Sequence, residues 1–432
     1  MKIIKKALIY SALMPLISNA SSFNEDDRND QSIPVGGALL TPIVKIQQRY
    51  DSNVASENQD DVNSWLTIFQ PSVKLTREFG EFGKHNFELD WIFTHGAYHA
   101  SGDDSYNDHD FSGKLNYELD TRHRLMIQGG YIDAHEERGS RFSIGTGEQI
   151  NEPDTFEQLY GGIQYTYGAP TADARLELEL GYLDNDYRSV YIDDSVTGDI
   201  YDNTATRDRS NLEIGGTFYY KIGAATDLTI EAWQTDINYD YTANPIDELS
   251  SIENSFMIGA EWEATALTTG FAKIGYKKKD FDLSERESYD DVEWEIEVLW
   301  EPKTYSRFTF SSGRATEETN GEGFFNVETT GNGYVINHTQ HEIQWQHEWK
   351  DRLSSKVTFA ISEDEYIGTT DAGSTGKIRE DDNKGVTATL YYDMSYWVSF
   401  SLEYVYNDRD STRTFLDYDR ELFTLGVRIA LY

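Results

Sequence analysis

The chain alternates apolar and polar residues with a period of two. Val292-Glu293-Trp294-Glu295-Ile296-Glu297-Val298-Leu299-Trp300 has apolar residues at its even positions and glutamate at three of its four odd ones. Such a period sends the two sets of side chains to opposite faces of a strand. It recurs with no helical segment between repeats. It predicts eighteen strands near 42–51, 64–77, 85–96, 108–119, 123–134, 156–168, 173–185, 209–222, 226–239, 253–265, 269–280, 290–301, 304–314, 339–350, 353–363, 384–394, 396–407 and 419–432. Counted from the first, odd-numbered connections are long and acidic, as at 135–155, 186–208, 315–338 and 364–383. Even-numbered ones are short, such as Asp120-Thr121-Arg122 and Gly223-Ala224-Ala225. Short turns on one side and long loops on the other are the plan of a transmembrane β-barrel. The expected fold is therefore all-β, an antiparallel up-and-down barrel over residues 40–432 with both termini periplasmic.

The faces fit this plan. Phe87, Leu89, Trp91 and Phe93 share one parity, as do Leu176, Leu178, Leu180 and Tyr182, then Leu212, Ile214, Phe218 and Tyr220, and then Phe256, Ile258, Ala260 and Trp262. By the same parity seven of the nine tryptophans face lipid: Trp65, Trp91, Trp262, Trp294, Trp300, Trp345 and Trp349. Tryptophan and tyrosine favour the lipid–water boundary, where the ring is buried and its polar group stays wet. The last strand, Thr424-Leu425-Gly426-Val427-Arg428-Ile429-Ala430-Leu431, reads polar-x-Gly-x-x-apolar-x-apolar. Thr424, Gly426, Ile429 and Leu431 resemble the C-terminal signal read by the outer-membrane assembly machinery, an expected partner.

Composition then decides between a barrel and a disordered chain. Hydrophobic residues make 38% of the chain and mean hydropathy is −0.62, yet aromatics reach 14%, with 29 tyrosines. Disordered chains lack aromatics. A barrel with one face to lipid and one to a wet lumen reconciles the two. Residues 1–20 read as a secretory signal peptide: Lys2, Lys5 and Lys6, an apolar run from Ala7 to Ile17, and small residues before the end at Ala20. An apolar run of about 11 residues is too short to span a membrane as a helix. Residues 21–39 show no pattern and are expected as a flexible periplasmic lead-in. There is no cysteine, hence no disulfide framework. Without its leader the chain has 34 basic and 76 acidic residues, a net charge of −42. Nucleic acid is excluded as a partner on that ground.

Candidate chemistry is sparse. His341-Glu342 and His347-Glu348 lack the His-Glu-x-x-His spacing, and both histidines share the outward face with Ile343 and Trp345. They read as interface residues, because a zinc site needs converging ligands. His123 and His135, at strand ends, read as structural hydrogen-bonding groups. Asp236-x-Asn238-x-Asp240 opens like a calcium loop, but Tyr241 replaces the glycine and Asp247 stands where a glutamate would close it. Casual bridging of the acidic loops by divalent ions needs no fixed site. No nucleophile signature such as Gly-x-Ser-x-Gly occurs. No enzyme activity, cofactor or resident metal is expected.

Several short segments resemble a known family. Pro42-x-Val44 leading to Arg49-Tyr50-Asp51-Ser52-Asn53-Val54, then Tyr117-x-Leu119-Asp120-x-x-His123-Arg124, Asp133-x-His135-Glu136-x-Arg138, Tyr165-x-Tyr167-Gly168 and Asp184-x-Asp186-Tyr187 are similar, in this order, to the β-barrel porins found in bacterial exopolysaccharide clusters. The resemblance covers most of the mature chain. It implies passage of a secreted polysaccharide across the outer membrane, with a periplasmic co-polymerase or export protein as partner. A porin for small solutes is the alternative, and a barrel enzyme the third.

Opposite the apolar face lie Glu88, Asp90, Glu118, Glu177, Glu179, Glu213, Glu231, Glu261, Glu263, Glu293, Glu295, Glu297 and Glu342. Lys45, Arg49, Lys114, Arg175 and Arg307 share that parity in smaller number. Charges lining a wet pore set which ions enter, so a cation-preferring lumen is expected. Trp233 and Tyr219, also inward, are candidate stacking surfaces for sugar rings.

Overall fold

The computed structural model describes residues 32–431 except 59–61, 141–142, 144–149, 151, 189, 193–199, 203–206, 241–248, 266, 285, 320–332 and 370–374. The leader, residues 21–31 of the lead-in, Tyr432 and the Tyr241–Asp247 part of the calcium-like stretch lie outside the described residues.

Alternation this regular forms strands wherever one face can be buried or lipid-covered and the other wetted. Eighteen strands result: β1 Ala38–Asp51, β2 Ser64–Phe79, β3 His85–Tyr98, β4 Tyr106–Glu118, β5 His123–Glu136, β6 Asp154–Tyr167, β7 Ala174–Arg188, β8 Arg209–Lys221 and β9 Thr226–Tyr239. The second half comprises β10 Ser251–Thr265, β11 Thr268–Phe281, β12 Tyr289–Lys303, β13 Ser306–Glu317, β14 Val335–Lys350, β15 Leu353–Thr369, β16 Thr375–Asp393, β17 Val398–Ser411 and β18 Tyr418–Ala430. Each pairs antiparallel with the next, and β1 pairs with β18 from Ile43↔Ala430 to Asp51↔Leu422, which closes the ring. Closure removes the open edges that lipid cannot satisfy. One end carries connections of two to six residues (the turn end); at the other they run from five to twenty (the loop end). The barrel begins and finishes at the turn end.

Two boundaries differ from the sequence reading. The lead-in is not patternless throughout: Ile33–Val35 folds back on Ala38–Leu40. Gly36 and Gly37, with φ of 59° and 85°, make the two-residue turn that only left-handed backbone allows. The stretch 364–383, expected as a loop, is mostly strand. β15 and β16 stay paired out to Thr369↔Thr375, where Glu363, Glu365, Glu380 and Asp382 keep the alternation on one face and Tyr366, Arg379 and Asp381 are buried on the other.

The outward band is apolar and open: Leu89, Ile163, Leu178, Leu180, Ile214, Phe256, Ile274, Phe359 and Leu425 are all exposed on the isolated chain. At its turn-end margin the rings pack on one another, Trp300 on Phe308 and Phe308 on Trp345. Three indole N–H groups find serine hydroxyls on the adjoining strand: Trp294 donates to Ser312 (2.9 Å), Trp345 to Ser306 (3.0 Å) and Trp349 to Ser355 (3.0 Å). These hydrogen bonds let a large ring sit against lipid without an unsatisfied donor.

Candidate functional site: the lumen and its outer mouth

In β7, β8, β9 and β12 the inward parity holds Arg175, Glu177, Glu179, Glu213, Glu231, Glu293, Glu295 and Glu297, alternating with the exposed apolar set. Glu88 and Asp90 face Lys114 and Ser112 across the β3–β4 ladder, and Lys74 of β2 lies 2.9 Å from Glu88. Lys45 and Arg49 share their parity with buried Asp51, and Arg49 Nε donates to Thr424 Oγ1 (3.2 Å). Glu261 lies inward near the turn end. Arg307, close to that rim, pairs with Glu301 (2.8 Å). Glu118 and Glu263 have the inward parity but lie at the rim itself, where the strands run out, so they line the entrance. Of the terminal signal, Thr424 and Gly426 face inward, and Ile429 and Leu431 outward.

Three lysines absent from the sequence reading change the charge map. Lys273, Lys277 and Lys279 of β11 all point inward. Lys273 bridges Glu231 (3.3 Å) and Glu295 (3.2 Å); Lys277 bridges Glu253 (3.3 Å) and Glu293 (3.8 Å); Lys279 bridges Glu253 (3.3 Å) and Glu318. The run Lys277-Lys278-Lys279 hides the alternation, but every second lysine belongs to the lumen set. The acidic ladder of β9, β10 and β12 is thus partly neutralised.

The loop end holds a second group that the sequence did not show, arginines fully enclosed by carboxylates. Arg420 of β18 is 0% exposed; its Nε donates to Asp51 of β1 (2.9 Å) and its Nη1 to Glu137 (2.7 Å). Burial alone would raise the Glu137 carboxyl, but Arg420 holds it below the usual range. Arg207 reaches Asp154 (2.6 Å) and Glu136 (3.2 Å) and lies over the Tyr187 ring. Arg379 pairs with Asp381 and lies 4.1 Å from the Tyr366 centroid. Planar guanidinium suits such enclosed, doubly hydrogen-bonded sites.

The mouth is also narrowed. The β12–β13 ladder stops at Trp294↔Arg314 on its loop-end side, while β13 continues paired to β14 as far as Glu317↔Ile336. Above that point β13 bears residues of outward parity that touch inward residues of other strands. Thr316 Oγ1 meets Glu253 of β10 and Lys277 of β11 (3.2 Å each), Arg314 pairs with Asp291 of β12 (2.7 Å), and Tyr239 of β9 donates to Glu318 (2.8 Å). Val335 and Ile367, outward by parity on β14 and β15, form one apolar cluster with Ile237, Tyr239, Leu249 and Tyr334. An outer face can meet an inner face only if the upper part of β13–β15 leans into the barrel. That lobe carries His338 on its lumen side, hydrogen-bonded to Asp364. Burial would lower the His338 pKa; the Asp364 carboxylate outweighs it and raises the pKa to about 9.

The remaining candidates are structural. His341 hydrogen-bonds Ser312 (2.9 Å), and His347 packs between Trp345 and Trp349 on the lipid face. His123 pairs with the Tyr165 hydroxyl and His135 with Asp108. Asp236 and Asn238 sit two apart on the outer face of β9, bonded to each other, so they do not curl around an ion. Among the described residues one trio of carboxylates converges, Glu363, Glu365 and Glu380, with oxygens within 4.8 Å of one another. Its members share the outward parity of β15 and β16, and Lys377 already pairs with Glu365 (3.3 Å) and Glu380.

Residues 29–431 match the family described as "Putative beta-barrel porin 2". The chain belongs to this family. It is a porin-like outer-membrane β-barrel, as the resemblance of its motifs implied. No curated protein is matched. Among solved structures it is similar to OpdO of Pseudomonas aeruginosa (12% identity, TM-score 0.47, covering 91% of this chain and 98% of that one). Others are OccAB2 of Acinetobacter baumannii (14%, 0.45, 91% and 98%) and the siderophore receptor PirA of the same organism (8%, 0.47, 90% and 80%).

Proposed function

We propose that this porin is a passive conduit for a secreted polysaccharide. The observation that carries the reading is a closed ring of eighteen strands with a charged and polar inner face. At about 4.8 Å per strand and a tilt near 40°, such a ring is roughly 35 Å across between backbones if circular. Hydrated glycan needs a polar, uninterrupted wall, and the order of motifs shared with porins of exopolysaccharide clusters supplies the cargo. In this reading the turn end and both termini face the periplasm, residues 1–20 are removed on export, and a periplasmic co-polymerase or export protein delivers the chain to the turn end. Thr424, Gly426, Ile429 and Leu431 present the last strand to the assembly machinery. A second reading, a porin for small solutes, is favoured by the lobe that narrows the mouth.

Deleting the gene in its host and measuring polymer in the medium separates the two. Loss of secreted polymer with periplasmic accumulation supports export. Unchanged secretion, together with slower uptake of a small solute, supports the solute porin.

A further inference from the structure

The β12–β13 ladder runs in one register from Trp300↔Phe308 to Trp294↔Arg314 and stops there. Continued residue by residue, that register sets Glu293 opposite Ala315, Val292 opposite Thr316, Asp291 opposite Glu317 and Asp290 opposite Glu318. Parity does not forbid these pairs: Val292 and Thr316 are both outward, Glu293 and Ala315 both inward. Charge opposes them. The last two positions set carboxylate against carboxylate, and like charges directly across a ladder destabilise it. On its other edge β12 pairs over the same residues without conflict, Asp291 opposite Lys277 and Asp290 opposite Lys278.

The same carboxylates hold β13 in its inward place. Glu318, just beyond β13, pairs with Lys279 of β11 and accepts from Tyr239 of β9 (2.8 Å). Asp291 accepts from Arg314 (2.7 Å) and from Asn337 of β14, whose amide also donates to the Tyr289 hydroxyl (3.0 Å). Val335 and Ile367 are buried in the apolar cluster of the mouth. The upper part of β13–β15 thus laps inside β9–β12, while two strand edges that match in register and in face stay apart. A packed element with two discrete arrangements can act as a switch. We propose that the upper part of β13–β15 is a gate with two positions. In one it is lapped inside and narrows the mouth; in the other it is swung into the wall, with the β12–β13 ladder completed to Asp290↔Glu318. The lapped position is the resting one, since Glu318 meets Lys279 and Val335 meets Ile237 only there, and four carboxylates resist the other. The gate deepens the conduit reading and rests on it for an open lumen. It admits a wide cargo without unzipping any existing ladder.

The chain has no cysteine, so engineered pairs report the position of the gate. Val292→Cys with Thr316→Cys puts two thiols on the outer face that meet only when the ladder is completed. Val298→Cys with Phe310→Cys puts two where the strands already face each other. Directly opposed strand residues are close enough for a disulfide. The full-length purified porin is treated with a mild oxidant, and free thiols are labelled after denaturation. The control pair at 298 and 310 is expected to link at once and to leave conductance in a planar bilayer unchanged. The pair at 292 and 316 is expected to link more slowly. Once linked, it should conduct at least twofold more than Thr316→Cys alone, and revert on reduction. Adding Glu317→Gln and Glu318→Gln removes the opposed charges and the tie to Lys279, and is expected to speed linking at least fivefold. Heat-dependent gel mobility verifies that each variant has folded. The gate is overturned if the pair at 292 and 316 stays unlinked, if linking leaves a measurable conductance unchanged, or if the glutamine variant links no faster. Labelling needs no current, so a porin that links but conducts nothing sinks the conduit reading and leaves the movement standing.

Discussion

The Asp51–Arg420 pair joins the first strand to the last, and removing it should weaken barrel closure measurably. The β1–β18 ladder has nine paired positions, against thirteen between β1 and β2. Both partners are 0% exposed. Asp51 accepts from Arg420 Nε and Nη2, and also from the Asn53 backbone N–H (3.0 Å). Breaking a buried pair from one side costs about 3–5 kcal/mol, because the remaining charge stays desolvated. Here Glu137 still holds Arg420 Nη1, so Asp51→Ala should lie at the lower end, about 3 kcal/mol. With a urea slope of about 3 kcal/mol/M, the unfolding midpoint in lipid vesicles should drop by about 1 M. Tryptophan fluorescence follows the transition. Lys384→Ala is the control: this lysine is 58% exposed and pairs with Asp410 on the outer surface, where solvent screening leaves a pair little effect on stability. The double variant Asp51→Ala/Arg420→Met should recover part of the loss, since no charge is then stranded. If Asp51→Ala unfolds with the same midpoint as Lys384→Ala, the pair does not clamp the seam and the reasoning fails.

Three further outcomes are expected. Replacing Glu293, Glu295 and Glu297 together by glutamine should lower the cation preference seen in reversal potentials, while leaving Lys273 and Lys277 with fewer partners; an anion-selective wild type would refute the lumen assignment. Tyr239→Phe with Glu318→Gln removes two ties of the inward lobe and should raise single-channel conductance; an unchanged conductance would show that the lobe does not narrow the path. His338, with a pKa raised to about 9 from an unfolded value near 6.5, adds stability that is complete below about pH 6.5 and is lost as pH rises through about 9. The stability difference between wild type and His338→Gln should therefore shrink between pH 7 and 10, and a constant difference would exclude the charged pair.

The strands were legible because a half-wetted barrel writes its register into every second residue, and a slip of one would turn every charge to lipid. The inward glutamates followed from the same parity. Parity carries no information about where a sheet splits, so the lobe was invisible: Thr316 and Val335 have the outward phase and yet lie inside the mouth. The buried arginines escaped for a different reason. Asp51 and Arg420 are 369 residues apart and meet only because the ring closes. Tyr219 was overvalued, since alternation says that a ring faces the lumen and not what lies on it, and here the Arg175 guanidinium covers it.

The two shortest ladders between neighbouring strands of the ring, eight positions between β12 and β13 and nine at the β1–β18 seam, also set how the wall bends. The resistance of a seam to shear grows with the number of bonds across it, and β15–β16 carries seventeen paired positions by comparison. The ring is therefore two curved plates, one of twelve strands and one of six, meeting at two compliant joints. A load from inside is taken up by rotation at those joints, which changes a round section to an oval one without unzipping any ladder. The Asp51–Arg420 clamp stiffens one joint near its loop end. The β12–β13 joint is left the more pliant of the two.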